Sequence, residues 1–183
     1  AKKSGVGDVI VATPDKEIFD LVKKNYGKAI ITNKKHFTGT DRIHEALNKL
    51  SDDIDIVINL QGDMPNLDPD NIIKLDFLMR KNNCNIGTLA STIQNSKEIN
   101  NINIVKVETY KELNYSSFLK AKDFFRKKIS SNMENIYHHI GIYGFKKKIL
   151  SKYVKLNRTK KEIERNLEQM RALDNNIGIN VAL

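Results

Sequence analysis

Apolar positions along the chain follow two rhythms. Short β-branched runs recur at "DVIVAT" (8–13), "KAIIT" (28–32) and "IDIVINL" (54–60), with the length and composition of buried strands. Amphipathic stretches lie between them. In "DKEIFDLVKKNYG" (15–27), Ile18, Leu21 and Val22 stand at i, i+3 and i+4, Asp15 sits where an N-cap belongs and Gly27 where a helix stops. "TGTDRIHEALNKL" (38–50) sets Ile43, Ala46, Leu47 and Leu50 at helical spacing, and "PDNIIKLDFLMRKN" (69–82) opens a helix with proline in its first turn. Strand and helix alternate three times. The connections are therefore crossovers and the strands parallel, which predicts an open α/β sheet.

Past residue 85 the rhythm changes. "NIGTLAST" (85–92), "NIVKVET" (103–109) and "IYHHIGIYGF" (136–145) read as strands, with a short helix near 146–153, while "YSSFLKA" (115–121) fits either pattern. "TKKEIERNLEQMRALDNN" (159–176) predicts one helix, opened by a Thr159/Glu162 capping box and carrying Ile163, Leu167 and Met170 as its apolar stripe. No repeat, low-complexity linker or composition break divides the chain. The expectation is a single domain over 1–183, an α/β fold with an open, mostly parallel, Rossmann-like sheet and a mixed second half. "AKKSG" reads as the tail of a helix stopped at Gly5, and "IGINVAL" (177–183) as part of a strand. Both ends look internal, so a piece of a longer protein is expected.

Composition narrows the partners. The formal charge is +9, but the lysines are scattered among many Asn and Ile. The clusters Lys146-Lys147-Lys148 and Arg126-Lys127-Lys128 lack the aromatic interleaving of a single-strand binder. A solvated basic surface is expected, not a nucleic-acid partner. No apolar stretch approaches the ~20 residues of a membrane span, and the first residues lack the pattern of a signal peptide. A membrane partner is not expected. The one cysteine, Cys84, excludes an internal disulfide and suits a reducing cytoplasm.

Candidate chemistry collects at strand ends. In open α/β sheets ligands bind beyond the carboxyl ends of the strands. The third strand breaks into Gln61-Gly62-Asp63, the first into Thr13-Pro14-Asp15. Thr38-Gly39-Thr40 opens a helix whose N-terminal amides attract anions, and Arg42 stands on its first turn. A carboxylate, an amide, hydroxyls and a guanidinium in one crevice suit a nucleotide with a divalent metal. Each has a plainer reading: Asp63 as a turn residue, Arg42 as an exposed helix charge, His139 and Tyr143 as core side chains. His36 and His44 have no metal-ligand spacing and are placed on the surface. Glu168 and Arg171 stand at i, i+3 and read equally as a surface pair. On a strand His138 faces away from His139, whereas Tyr143 shares His139's face.

The order "ATPD", "HFTGTDR", "INLQGDMP", "NIVKV", "HHIGIYGF" and "NLEQMRAL" resembles the CMP-Kdo synthetases (3-deoxy-manno-octulosonate cytidylyltransferases) across nearly all of the chain. The resemblance implies a nucleotidyltransferase in which the anomeric hydroxyl of Kdo attacks the α-phosphate of CTP, giving CMP-Kdo and pyrophosphate for lipopolysaccharide synthesis. It implies Asp63 as the catalytic Mg²⁺ ligand, Thr38, Arg42 and Gln61 as nucleotide contacts, and His139, Tyr143, Glu168 and Gln169 as contacts of the sugar acid. It also implies a cytoplasmic homodimer built partly from residues 103–145. The pattern departs from the family in four places. Met64 replaces a Glu, and the usual Ser-Arg-x-x-Ile-Pro segment appears as residues 119–124, with Lys120 in place of an arginine fork. The Gly-rich triphosphate loop and the later Val-Asp-Thr segment are not among these residues. The chain alone is accordingly expected to be inactive or nearly so. The alternatives are a cytidylyltransferase for another acidic sugar and a non-catalytic nucleotide-binding protein.

Overall fold

The computed structural model describes residues 1–50, 53–127 and 134–183; Lys128 of the second basic cluster lies outside them. A 3-10 turn (Lys2–Ser4) leads into β1 (Ile10–Thr13), α1 (Lys16–Lys24), β2 (Lys28–Ile31), α2 (Gly39–Asn48), β3 (Ile56–Asn59) and α3 (Pro69–Lys81). There follow β4 (Ile86–Ser91), α4 (Ser96–Asn100), β5 (Lys106–Thr109), β6 (Leu119–Phe125), β7 (Ile136–Lys146), α5 (Lys147–Tyr153), α6 (Lys160–Arg165), α7 (Met170–Asp174) and β8 (Ile179–Ala182). The alternating first half and the mixed second half both form, and the ambiguous 115–121 stretch enters strand β6.

The first crossover gives a parallel pair, β1 with β2. The larger sheet has strand order β3-β7-β4-β8-β6-β5, with β5 also pairing to β7. β4 and β8 run parallel, and β7 runs antiparallel to β3, β4 and β5. β7 is the organising strand. Its eleven residues join elements far apart in sequence, which no local pattern announces.

Apolar side chains fill both faces of this sheet. On one face α3 presents Ile72, Leu75, Leu78 and Met79 to Leu89 and Ile142. On the other, Leu150 and Tyr153 of α5 and Met170 of α7 pack with Phe124, Tyr143 and Phe145. The close seat of α3 depends on glycine. Gly87 and Gly144 are cross-strand partners; a Cβ on Gly87 would lie 2.6 Å from Met79 Sδ and 2.7 Å from Phe118 Cζ. In contrast, Ile18 and Leu21 of α1 are 46% and 61% exposed, so the stripe read from the sequence does not face the described core.

Caps agree with the sequence at most helix starts. Asp15 accepts from the amides of Glu17 and Ile18, Thr38 from Asp41, and the Thr159/Glu162 box closes in both directions. The single helix expected over 159–176 is corrected. It breaks at Asn166, which takes the left-handed conformation (φ 50°, ψ 50°). The Leu167 amide donates to Glu162 O and the Asn166 amide to Ile163 O, a Schellman stop with Asn as the left-handed residue. Ile163 is consequently 59% exposed rather than part of a buried stripe, while Leu167 and Met170 go into the core.

Candidate active site

The break at Asn166 frees residues 167–169 to form a turn against the carboxyl end of the sheet. This turn, the start of α2 and the end of β3 border a cleft that is partly open to solvent. Polar groups on its wall come from Thr40, Asn59, Gln61, Tyr143, Glu168 and Gln169. Asn59 and Thr40 are buried, and the Asn59 amide donates to Thr40 Oγ1 (3.3 Å), tying the end of β3 to the first turn of α2. Sequence reading passed over Asn59. Its signal was a lone amide closing an apolar run.

Thr38 sits at the α2 N-terminus, where its hydroxyl donates to Asp41 Oδ2 (2.8 Å) and accepts from the Asp41 amide (3.2 Å). Arg42, one turn on, is half-buried, and its Nε is buried with no partner among the described residues. Gln61 is exposed at the cleft mouth. Its amide lies under the β7 bulge, 3.9 Å from where a Gly141 Cβ would stand; Met64 Sδ lies 3.8 Å from the same point. Asp63 is exposed beyond the cleft wall. Among the described residues no group of three acidic, His or Cys side chains gathers for a metal. One open carboxylate fits a cation that keeps waters and phosphate oxygens, as magnesium does, rather than a cage built by protein.

Tyr143 and Glu168 form the deep wall. The Tyr143 hydroxyl is buried without a partner among the described residues, a costly state for a polar group unless a ligand or water completes it. Burial raises its pKa, and the Glu168 charge adds to the effect. Tyr153 donates to the backbone carbonyl of Glu168 (2.7 Å) and fixes the turn. Burial likewise pushes the Glu168 carboxyl up, against partial opposition from the Thr40 and Thr38 hydroxyls and Arg171. His139 stands one ring behind, its centroid 5.3 Å from Tyr143 and 5.1 Å from Phe124. Of the eight candidate residues, Gln61, Tyr143, Glu168 and Gln169 line the cleft directly. Thr38 and Arg42 flank it on α2, His139 backs it and Asp63 lies outside.

Several charged groups differ from their sequence reading. Arg171 is 2% exposed and pairs with Glu162, not Glu168: Nη2 to Oε1 is 2.6 Å and Nε to Oε2 is 2.9 Å. Its guanidinium lies 4.9 Å from the Tyr153 ring centroid. Placing α7 back against α6 brings these partners together. His36 is not a free surface histidine; it contacts the Glu45 carboxylate. Arg126 of the second basic cluster donates to the carbonyls of Ile102 and Asn103.

A two-sided α/β sheet with a polar cleft at its strand ends beside a helix start is an architecture suited to a nucleotide, and its relatives give its class as a nucleotidyltransferase. A family profile for cytidylyltransferases matches residues 1–179. A 3-deoxy-manno-octulosonate cytidylyltransferase from Thermodesulfovibrio yellowstonii is 40% identical, the match covering 97% of this chain and 74% of that protein. One from Paramagnetospirillum magneticum is 34% identical, over 99% and 74%. The solved structure of a CMP:2-keto-3-deoxy-manno-octonic acid synthetase complexed with CTP superposes with a TM-score of 0.85 at 32% identity, covering 97% of this chain and 72% of that one. The chain belongs to the cytidylyltransferases, and among them to the 3-deoxy-manno-octulosonate cytidylyltransferase family.

Proposed function

We propose that the protein containing this chain transfers CMP from CTP to the anomeric hydroxyl of Kdo, releasing pyrophosphate. The observation that carries this reading is the orphaned Tyr143 hydroxyl in a cleft whose other polar groups are unlike in kind. With a carboxylate (Glu168) and an amide (Gln169) beside it, it makes a mixed donor and acceptor set, which a polyhydroxylated acid requires. The start of α2, with Thr38 and the unpartnered Arg42 Nε, faces the nucleotide phosphates, and Gln61 reads the cytosine edge. His139, Tyr143, Glu168 and Gln169 hold the sugar acid.

The hydroxyl oxygen forms its bond to the α-phosphorus as the bond to pyrophosphate breaks, and the hydroxyl proton is lost to solvent or to the released pyrophosphate. The protein's contribution is positioning and charge stabilisation. Asp63 would hold a Mg²⁺ ion whose chemistry is to neutralise phosphate charge. The α2 amides orient the phosphates, and Tyr143 and Glu168 orient the attacking sugar. Lys120 on β6 is exposed and offers a point charge, which favours a second reading: the same transfer to another acidic sugar. CTP as substrate and the single thiol at Cys84 suit a reducing cytoplasm. Exposed Ile102, Tyr110 and Tyr115 support a homodimer contact within 103–145.

The test is pyrophosphate release from CTP, Kdo and Mg²⁺ by the full reading frame that carries this chain. Release should require Kdo and fall about 100-fold or more in Asp63→Asn. Release that needs a different sugar acid would move the substrate. CTP binding without release for any sugar acid would overturn the enzyme reading.

A further inference from the structure

The β7 bulge leaves a hydrogen-bonding problem whose solution fixes the chemistry of His139. Register shifts between Thr88 and Leu89: Thr88 faces Tyr143, but Leu89 already faces Ile140. Gly141 and Ile142 are thus extra residues on β7. Thr88, wholly buried, turns its hydroxyl to the bulge carbonyls, with Oγ1 2.7 Å from Ile142 O and 3.2 Å from Ile140 O. Two oxygens at 2.7 Å need a proton between them. A threonine hydroxyl has one proton, and here it is spent on the carbonyls. The same Oγ1 lies 3.0 Å from His139 Nε2 and can only accept there. Nε2 must therefore carry the hydrogen.

We infer that Thr88 is a positioning residue that locks His139 as the neutral Nε2–H tautomer, leaving Nδ1 as a hydrogen-bond acceptor that reads a hydroxyl of the sugar and not its carboxylate. The hydroxyl-reading half rests on the proposed function; the lock does not. Nδ1 has no protein partner among the described residues. The buried side-chain polar atoms without one are Thr32 Oγ1, Arg42 Nε and Tyr143 Oη. Nδ1 is not among them, and His139 as a whole is 8% accessible. Phe124 meets the ring edge-on and Tyr143 closes its other side, so the lock is rotational as well as chemical. The titratable groups nearby do not favour an imidazolium. His138 is next in the chain and turned toward Glu98 (3.7 Å), and the Tyr143 phenol is held neutral by burial. Burial pushes His139 down to about 3, and His138 adds to this. An imidazolium would donate from both nitrogens and attract a carboxylate; the locked neutral ring repels one and accepts from a hydroxyl.

Long-range proton–nitrogen NMR on ¹⁵N-histidine-labelled protein reads the tautomer directly, and four histidines make assignment by His139→Gln practical. The expected result is Nε2–H with bare Nδ1 for His139, with no titration between pH 5 and 8, the range in which an ordinary histidine protonates. Thr88→Val should abolish the single-tautomer signature, and Thr88→Ser should restore it. An Nδ1–H tautomer, a titrating ring, or a lock that survives Thr88→Val overturns the inference. Adding Kdo with CTP should shift Nδ1 without protonating it. Conversion to imidazolium, or shifts elsewhere with none at Nδ1, overturns the hydroxyl-reading role. If Kdo perturbs no residue while the tautomer is as expected, the Kdo assignment and the hydroxyl reading fall together and the lock stands.

Discussion

Arg171→Met tests whether the turn carrying Glu168 and Gln169 is held by the ion pair beneath it. The change keeps an unbranched apolar stem and removes the guanidinium. Glu162, with its side chain 1% exposed, then keeps only the Thr159 amide (3.3 Å) and Arg158 (3.1 Å). Breaking a buried pair from one side costs about 3–5 kcal/mol. Arg158 is 41% exposed and, as a surface partner, offsets at most about 1 kcal/mol. The expected loss is roughly 2–4 kcal/mol, or about 4–16 °C in Tm for a chain of this size. Urea unfolding at pH 7 with an unchanged m-value measures it. The pH dependence separates this cause from lost packing. In the native protein burial alone would raise the Glu162 pKa, but Arg171, Arg158 and the Thr159 amide hold it below the ordinary value. A depressed carboxylate stabilises above its unfolded pKa, and that stability is lost as pH falls through the folded pKa. In the variant desolvation wins and the sign reverses, so the deficit should shrink from pH 7 toward pH 4. Glu162→Gln added to Arg171→Met should recover most of the loss at pH 7. A deficit under about 1 kcal/mol at pH 7, or one that does not change with pH, would refute the reasoning.

Two further substitutions probe the two faces of the sheet. Burial raises the Glu168 pKa, so its contribution is best below the unfolded carboxyl pKa and declines as pH rises through the folded value. Glu168→Gln should therefore leave the unliganded protein as stable or up to about 2 kcal/mol more stable at pH 7 and flatten its pH profile, while lowering turnover; a variant that melts earlier at both pH 7 and pH 8 would contradict this. On the opposite face, Gly87→Ala places a methyl 2.6 Å from Met79 Sδ and should cost about 1–3 kcal/mol by overpacking, read by urea unfolding. A change under about 0.5 kcal/mol would mean that α3 shifts freely.

Periodicity revealed the elements of the first half because each buries one face by local spacing. α2 and α3 end within two residues of their expected limits at Asn48 and Lys81. Pairing was not legible. β7 joins β3, β4 and β5 through contacts remote in sequence, and its bulge at Gly141 and Ile142 breaks the alternation from which strand faces are read. The α1 stripe marked a helix correctly without marking what covers it. The largest error, the single helix over 159–176, has a local cause. Asn166 is second only to glycine as a left-handed stop, but it stands among strong helix formers whose summed propensity argues the other way.

That one residue accounts for three misreadings at once. Continuing the helix through Asn166 keeps Ile163 in the apolar stripe, sets Glu168 and Arg171 on one exposed face and leaves Glu162 as a cap alone. Stopping it turns Ile163 outward, folds α7 back so that Arg171 meets Glu162 nine residues earlier, and lifts Glu168 and Gln169 out of the helix into the cleft wall. Resemblance could name Glu168 and Gln169 but gave no reason for their place. The physical reason is the broken helix. A regular helix here would spend the backbone groups of 167–169 on its own hydrogen bonds, whereas the turn lets Tyr153 hold the Glu168 carbonyl. The β7 bulge does the same for His139, since the irregular carbonyls at Ile140 and Ile142 are what take the Thr88 proton. In both places the side chains that matter are set by departures from regular structure, which is why patterns built on regularity found the scaffold and missed how the site is held.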